Sequence, residues 1–312
     1  MTARTPVTVI GGYLGAGKTT LVNHLLRNAQ GLRLAVLVND FGTLPIDADL
    51  IEAKSADLIS IAGGCICCSF GSDLMGALMT LAMRDPAPDA VLIETSGVAM
   101  PGVVARSAAL IASFSIDSVV VLVDAETVRK RASDRYMGDT ITRQLAQADL
   151  VILNKTDLVA VEELDAVREW LAGETPSARL LESERARVPI DVLFGQPRAG
   201  AGGPRFLSPG AIQPIADAAA RYESVSFLPD RPVDVDRLAR ELAQPGCGLI
   251  RAKGVLRDVD GSLKTLHVVG ARFDVSPFAG TGNAPTGMAC IGLREQLNRS
   301  GIERAIGGQS AM

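Results

Sequence analysis

Gly12-Tyr13-Leu14-Gly15-Ala16-Gly17-Lys18-Thr19 follows the apolar run Val7-Thr8-Val9-Ile10 and opens a stretch with Leu21, Leu25 and Leu26 on one helical face. A buried strand, a glycine-rich turn and a helix start, in that order, make a phosphate cradle. The glycines let the backbone curl until its N–H groups converge on one small anion. The helix beginning at Lys18 adds its positive end. Lys18 can reach the β- and γ-phosphates, and the Thr19 hydroxyl can ligate Mg²⁺. Gly12, Gly15, Ala16, Gly17, Lys18, Thr19 and Thr20 are therefore the expected nucleotide contacts, with Lys18 also a catalytic group.

Working outward, Leu34–Val38, Asp57–Ile61, Ala90–Ile93, Ser118–Val123 and Leu150–Leu153 read as further strands. Helical patterns run over Asp73–Met83, Pro101–Ser113, Gly138–Ala148 and Val161–Ala172. Continuous apolar strands separated by helices predict an α/β fold, a mostly parallel P-loop sheet with helices on both faces. That domain is expected to span residues 1–194. In Gly195–Gly210, eight of sixteen residues are Gly or Pro, so no regular element is expected and the segment reads as a linker or loop.

Residues 211–312 read as a smaller C-terminal α+β domain. Tyr222–Phe227 alternates like a strand and Val235–Leu242 like a short helix. Leu249–Leu256 and Ser262–Val269 flank the hairpin turn Asp258-Val259-Asp260-Gly261. Ser276–Gly287 reads as a loop and Leu293–Asn298 as a closing helix.

Composition narrows the class. An apolar fraction of 47% and a charged fraction of 21% suit a globular domain. A net charge of -4 offers no polybasic field, which argues against nucleic acid. No run of 18 apolar residues appears, so no membrane span is expected. The first residues lack a signal pattern, and the expected location is the cytoplasm.

Asn154-Lys155-Thr156-Asp157 ends an apolar strand, where an α/β sheet forms its ligand crevice. A carboxylate at Asp157 can accept from guanine N1–H and N2–H₂, which adenine does not offer. Asn154 would brace the loop, and the Lys155 stem would lie along the base. Glu94-Thr95-Ser96-Gly97 ends another strand. Glu94 there can hold Mg²⁺ through water or orient the attacking water, and Gly97 lets backbone approach the γ-phosphate. Asn39-Asp40-Phe41-Gly42 enters a loop placed to sense that phosphate. The expected reaction is GTP + H₂O to GDP and phosphate.

Three of the five cysteines fall in Gly63-Gly64-Cys65-Ile66-Cys67-Cys68-Ser69. If extended, Cys65 and Cys67 point to one side, and a bend at Cys68 brings in a third thiolate. Soft thiolates suit zinc, cobalt or copper(I) rather than magnesium. A fourth ligand could be Asp40, a water or a group from a partner. The spacing differs from a Cys-x-x-Cys redox pair. Cys247 and Cys290 are isolated and read as packing. Met75, Met79 and Met83 recur at helical spacing and read as core. His24 and His267 belong to no cluster.

Together these segments resemble the CobW-type GTPases, a family of metal-handling proteins. GGYLGAGKTTLVNHLL, LVNDFG, PIDADLI, GGCICC, IETSG, NKTDL and LIRAKGVL carry the resemblance, in order, over residues 7–256. It implies GTP hydrolysis coupled to delivery of zinc or cobalt into a client metalloprotein or a cofactor-synthesis pathway. It also implies metal on Cys65, Cys67 and Cys68 near the nucleotide, and a homodimer is a further assembly open to such a chain. Two departures stand out. Asn39-Asp40-Phe41-Gly42-Thr43 replaces the usual Asn-Glu-Phe-Gly-Glu, and the His-rich stretch of many relatives is missing. The rival readings are a GTP-dependent binding switch without metal transfer and a P-loop ATPase.

Overall fold

Seven strands pair into one parallel sheet in this computed structural model, which describes residues 4–29, 32–39, 57–61, 70–194, 221–278 and 286–307. The strands are β1 (Thr5–Gly11), β2 (Leu34–Asn39), β3 (Asp57–Ile61), β4 (Ala90–Glu94), β5 (Phe114–Asp124), β6 (Leu150–Asn154) and β7 (Arg179–Ser183). They lie in the order β3-β2-β4-β1-β5-β6-β7, parallel at every pairing. A parallel sheet is buried on both faces, which explains the unbroken apolar runs. Val7 and Val9 on one face of β1, and Thr8 and Ile10 on the other, are all fully buried.

One core joins Val7 and Val9 to Leu74 and Leu78, Val104, Ile141 and Leu171, from four different helices. The helix Lys18–Arg27 buries Leu21, Val22 and Leu25. In the helix Phe70–Ala82, the side toward the core is Leu74, Leu78 and Leu81, at i, i+4 and i+7. Met79 and Met83 instead stand 52% and 78% exposed, so the methionine stripe is not the packing face. Leucine and methionine recur at the same helical period here, and periodicity alone could not choose between the two faces.

The chain divides into two compact units, one covering Arg4–Ile190 and the other beginning at Asp191. The segment 195–210, expected as a linker or loop, lies outside the described residues. The second unit holds an antiparallel sheet of β8 (Tyr222–Phe227), β9 (Leu249–Arg257), β10 (Leu263–Val269), β11 (Arg272–Pro277) and β12 (Gly287–Leu293). Their order is β11-β10-β9-β12-β8. The helix Val235–Leu242 starts where Asp234 accepts a hydrogen bond from the Arg237 amide at 2.9 Å, a side-chain N-cap. Its Val235, Leu238 and Leu242 pack with Leu266, Met288 and Ile302. Cys247 and Cys290 are buried thiols in that core, outside any disulfide, and burial raises the Cys290 thiol far above its usual range.

The stretch Leu249–Leu256 has a structural use that its sequence did not announce. Arg251, 1% exposed, donates to the Leu193 carbonyl at 2.7 Å, and Lys253 donates to the Phe194 carbonyl at 3.0 Å. Two cations thus meet the C-terminal carbonyls of the helix Ile190–Phe194, where its dipole is negative.

Two expected elements are corrected. Leu293 ends β12, and the closing helix is Arg299–Gly307, not Leu293–Asn298. The amides of Gln296 and Leu297 turn back onto the Leu293 carbonyl, and Asn298 Oδ1 caps the helix by accepting from the Gly301 amide at 2.9 Å. The loop expected over Ser276–Gly287 is shorter, because β11 runs to Pro277 and β12 begins at Gly287. The strand β12 lies between β9 and β8 with Met288, Ala289, Cys290 and Ile291 all buried. A strand buried on both faces shows no alternation to read. Among the described residues, no helix is long and apolar enough to cross a membrane.

Candidate nucleotide-binding site

Five parallel strands end on the same edge of the sheet, at Gly11, Glu94, Asp124, Asn154 and Ser183. Register fixes their neighbours: Ile10 pairs with Glu94, Asp124 with Asn154, and Asn154 with Ser183. The connection leaving β1 runs to one side of it and the connection leaving β4 crosses to the other. Such a reversal opens a crevice beyond the strand ends.

The loop Gly12–Gly17 fills that crevice's floor. Gly12 has φ 129°, and a Cβ there would stand 2.2 Å from the Leu122 carbonyl oxygen of β5. Only glycine fits so close to a strand in that conformation. Gly15 and Gly17 also have positive φ. Lys18, 8% exposed, opens the helix and directs its Nζ onto the Tyr13 carbonyl at 3.3 Å. Thr19 Oγ1 donates to Glu94 Oε1 at 2.9 Å, joining the loop to the end of β4. Thr20 is exposed one residue further along the helix.

Hard oxygen donors from Thr19 and Glu94 side by side fit a Mg²⁺ ion, which takes oxygen ligands and tends to keep its waters. Gly97 packs against the phosphate loop itself. A Cβ at Gly97 would lie 2.7 Å from the Leu14 amide nitrogen, so the two loops touch backbone to backbone. Gln144, 1% exposed, holds the second loop in place by donating to the Gly97 and Ala99 carbonyls at 3.1 and 2.8 Å.

At the other end of the crevice, Asn154 is 2% exposed and fully engaged. Its Nδ2 donates to the Ala16 carbonyl at 2.9 Å. Its Oδ1 accepts from Ser183 Oγ at 3.1 Å and from the Ala186 amide at 2.7 Å. One side chain at the end of β6 therefore ties the phosphate loop to the end of β7 and the turn that follows it. Lys155 adopts φ 64° and pairs through Nζ with Asp124 Oδ2 at 2.6 Å. Asp157 sits exposed in the short turn Thr156–Leu158, with its carboxylate open to a ligand.

Asp124, Gln144, Ser183 and Ala186 were not singled out in the sequence. Asp124 had a signal, a carboxylate closing the apolar strand β5 on the edge where ligands bind. Gln144 binds backbone carbonyls, Ser183 offers its hydroxyl to Asn154 and Ala186 its amide, and none of the three carries a local pattern. Arg131 is a further case: its Nη1 donates to the Leu14 carbonyl at 2.6 Å, and its guanidinium lies 5.5 Å from the Tyr13 ring centroid. His24 donates from Nε2 to the Val188 carbonyl at 3.0 Å, and burial lowers its basicity, which suits a neutral structural imidazole.

Cys65, Cys67, Cys68 and Asp40, with the expected sensing loop, lie outside the described residues. Among the described residues, no group of three or more His, Cys, Asp or Glu side chains is suited to a metal.

Residues 6–182 match the CobW/HypB/UreG nucleotide-binding domain, more than half of the 312 residues. The chain belongs to the CobW/HypB/UreG family. Within that family it also carries the cobalamin synthesis protein cobW C-terminal domain, matched over residues 222–308. A zinc chaperone CobW from Pseudomonas aeruginosa is 35% identical over 62% of this chain and 60% of its own length. A zinc chaperone CobW from a Sinorhizobium species is 30% identical over 86% of each chain. The zinc chaperone YjiA of Escherichia coli is 30% identical over 85% of this chain and 86% of its own. This CobW-family chain thus spans about 60% of the first relative and most of the other two. The crystal structure of Zn(II)-bound YjiA GTPase from E. coli covers 99% of this chain and 100% of its own, at 23% identity and a TM-score of 0.48.

Proposed function

We propose that this chain is a GTPase that couples hydrolysis of GTP to GDP and phosphate with the handling of a transition metal. The metal, zinc or cobalt, is cargo held by Cys65, Cys67 and Cys68, with Asp40 as a candidate fourth ligand, and is passed to a client protein or cofactor pathway. The observation that carries the GTPase reading is the shared edge of the sheet. Lys18, Thr19 and Glu94 cluster at one end of the crevice, Lys155 and Asp157 at the other, and Asn154 links the two. Relatives named as zinc chaperones and zinc-regulated GTPase metalloprotein activators support the metal cargo.

In this reading Gly12, Gly15, Ala16, Gly17, Lys18, Thr19 and Thr20 hold the phosphates, and Asn154, Lys155 and Asp157 hold the base. Mg²⁺, when bound at Thr19 near Glu94, neutralises charge on the phosphates. Lys18 moves from the Tyr13 carbonyl to the phosphates, a stronger acceptor for an ammonium. Glu94 orients the attacking water. The chain acts in the cytoplasm.

Two measurements test this. Asp157→Asn replaces one of guanine's two acceptors with a donor, and GTP affinity is expected to fall by about 10–100-fold while ATP binding stays weak. Unchanged preference for GTP over ATP would remove Asp157 from base recognition. Titration of Zn²⁺ and Co²⁺ with and without a non-hydrolysable GTP analogue tests coupling. The metal affinity is expected to differ by about 5–100-fold between the two states, and GTP affinity must shift reciprocally. Equal affinities would reject coupling, and normal metal binding by a Cys65/Cys67/Cys68 triple serine variant would reject the cysteine site.

A further inference from the structure

The contacts of Arg131 point to a role for the side of the phosphate loop that faces away from the nucleotide. Tyr13 and Leu14 follow the first glycine of that loop, and both are contacted by side chains from residues 128–137. Arg131, from the short helix Val128–Ala132, donates Nη1 to the Leu14 carbonyl at 2.6 Å. Its guanidinium lies 5.5 Å from the Tyr13 ring centroid, within cation–π range. The Tyr13 hydroxyl in turn donates to Met137 Sδ at 2.7 Å.

A trans peptide points its C=O and its N–H in opposite directions. The Leu14 carbonyl and the Gly15 amide belong to the same peptide. Fixing that carbonyl outward on Arg131 therefore aims the Gly15 N–H inward, toward the position of the phosphates. A cation on the carbonyl also polarises the peptide and strengthens its N–H as a donor. Without the anchor, Gly15 at φ 79° has no side chain to resist rotation of that peptide.

We propose that Arg131 is a positioning residue for nucleotide binding, holding the Leu14–Gly15 peptide in its phosphate-binding orientation before the ligand arrives. The inference rests on the nucleotide reading above and adds to it a residue that makes no contact with the nucleotide. Its alternative is a guanidinium that swings onto the γ-phosphate and stabilises the transition state. The two differ in what they change. A preformed donor serves GDP and GTP equally, whereas a group acting in the transition state changes turnover at saturation.

The experiment measures affinities for fluorescent GDP and a non-hydrolysable GTP analogue, together with kcat for GTP, in the wild type, Arg131→Ala and Arg131→Lys. Arg131→Ala is expected to weaken both nucleotides by a similar factor of about ten, the worth of one charge-assisted hydrogen bond. Its kcat at saturating GTP stays within about twofold, because the transition state and the ground state lose the same donor. Arg131→Lys is expected to recover part of the affinity, since it keeps charge and donor but loses the planar fork. Arg131 is half-buried, so thermal unfolding of both variants is measured alongside, and a folded Arg131→Lys keeps the comparison valid if Arg131→Ala loses stability. Unchanged affinities overturn the inference, as does a loss of kcat with affinity intact. A wild type that binds no guanine nucleotide overturns both this inference and the parent reading, whereas wild-type binding with an indifferent Arg131→Ala overturns this inference alone.

Discussion

Replacing Glu94 by Gln is expected to slow single-turnover GTP hydrolysis by about 10²–10⁴-fold, the range for loss of a positioned general acid–base group. Glu94 is 3% exposed at the end of β4, and its Oε1 accepts the Thr19 hydroxyl at 2.9 Å. Glutamine has the same shape, and its amide oxygen can keep that bond. The phosphate loop should therefore hold its form, and GDP affinity should change by less than about tenfold. What disappears is the negative charge that holds a Mg²⁺ shell or aligns the attacking water. Alanine would confuse the outcome by opening a hole beside β1, so the isostere is the sharper probe. Thermal unfolding near the wild-type temperature, tight GDP binding and absent hydrolysis together support the proposed role. Hydrolysis at the wild-type rate would remove Glu94 from the chemistry.

The firmest features of the sequence were those whose physics is local. A glycine loop between a strand and a helix needs only its own eight residues to announce itself, and Gly12 and Gly17 adopt the positive φ that such a curl requires. Carboxylate and amide positions at strand ends, Glu94 and Asn154, were legible because a parallel sheet collects its strand ends on one edge. Contacts that depend on the return of a distant segment were not legible. Gln144 reaches the Gly97 carbonyl across 47 residues, and Arg131 reaches Leu14 across 117. Neither belongs to a motif, and each binds a carbonyl that any residue type could present. Gly97, expected to let backbone approach the γ-phosphate, also lies against the backbone of Leu14, a contact its own motif does not announce. The methionine stripe failed for a different reason. Two apolar faces shared one helix, and only the packing of Leu74, Leu78 and Leu81 shows which was covered.

Asn154→Ala should be the most damaging single change to the candidate site, because it acts on both loops at once. Removing the amide strands three buried groups: the Ala16 carbonyl, the Ser183 hydroxyl and the Ala186 amide. Each buried unsatisfied group costs about 1–3 kcal/mol, so the sum is about 3–6 kcal/mol after partial hydration of the hole. That is a large part of the roughly 5–15 kcal/mol that keeps a domain folded. The midpoint of urea unfolding is expected to fall accordingly, without a change in its slope. Asn154→Asp separates the two ends of the side chain. One carboxylate oxygen still accepts from Ser183 and Ala186, while the other faces the Ala16 carbonyl, an acceptor where a donor stood. Its unfolding midpoint should lie between those of Asn154→Ala and the wild type, yet GDP binding should be as poor as in Asn154→Ala, since the tie to the phosphate loop is broken in both. Asp157→Asn, out on the surface, should leave stability untouched and change only the choice of base. If Asn154→Ala unfolds like the wild type and binds GDP normally, the two loops are held independently and the proposed link through Asn154 fails.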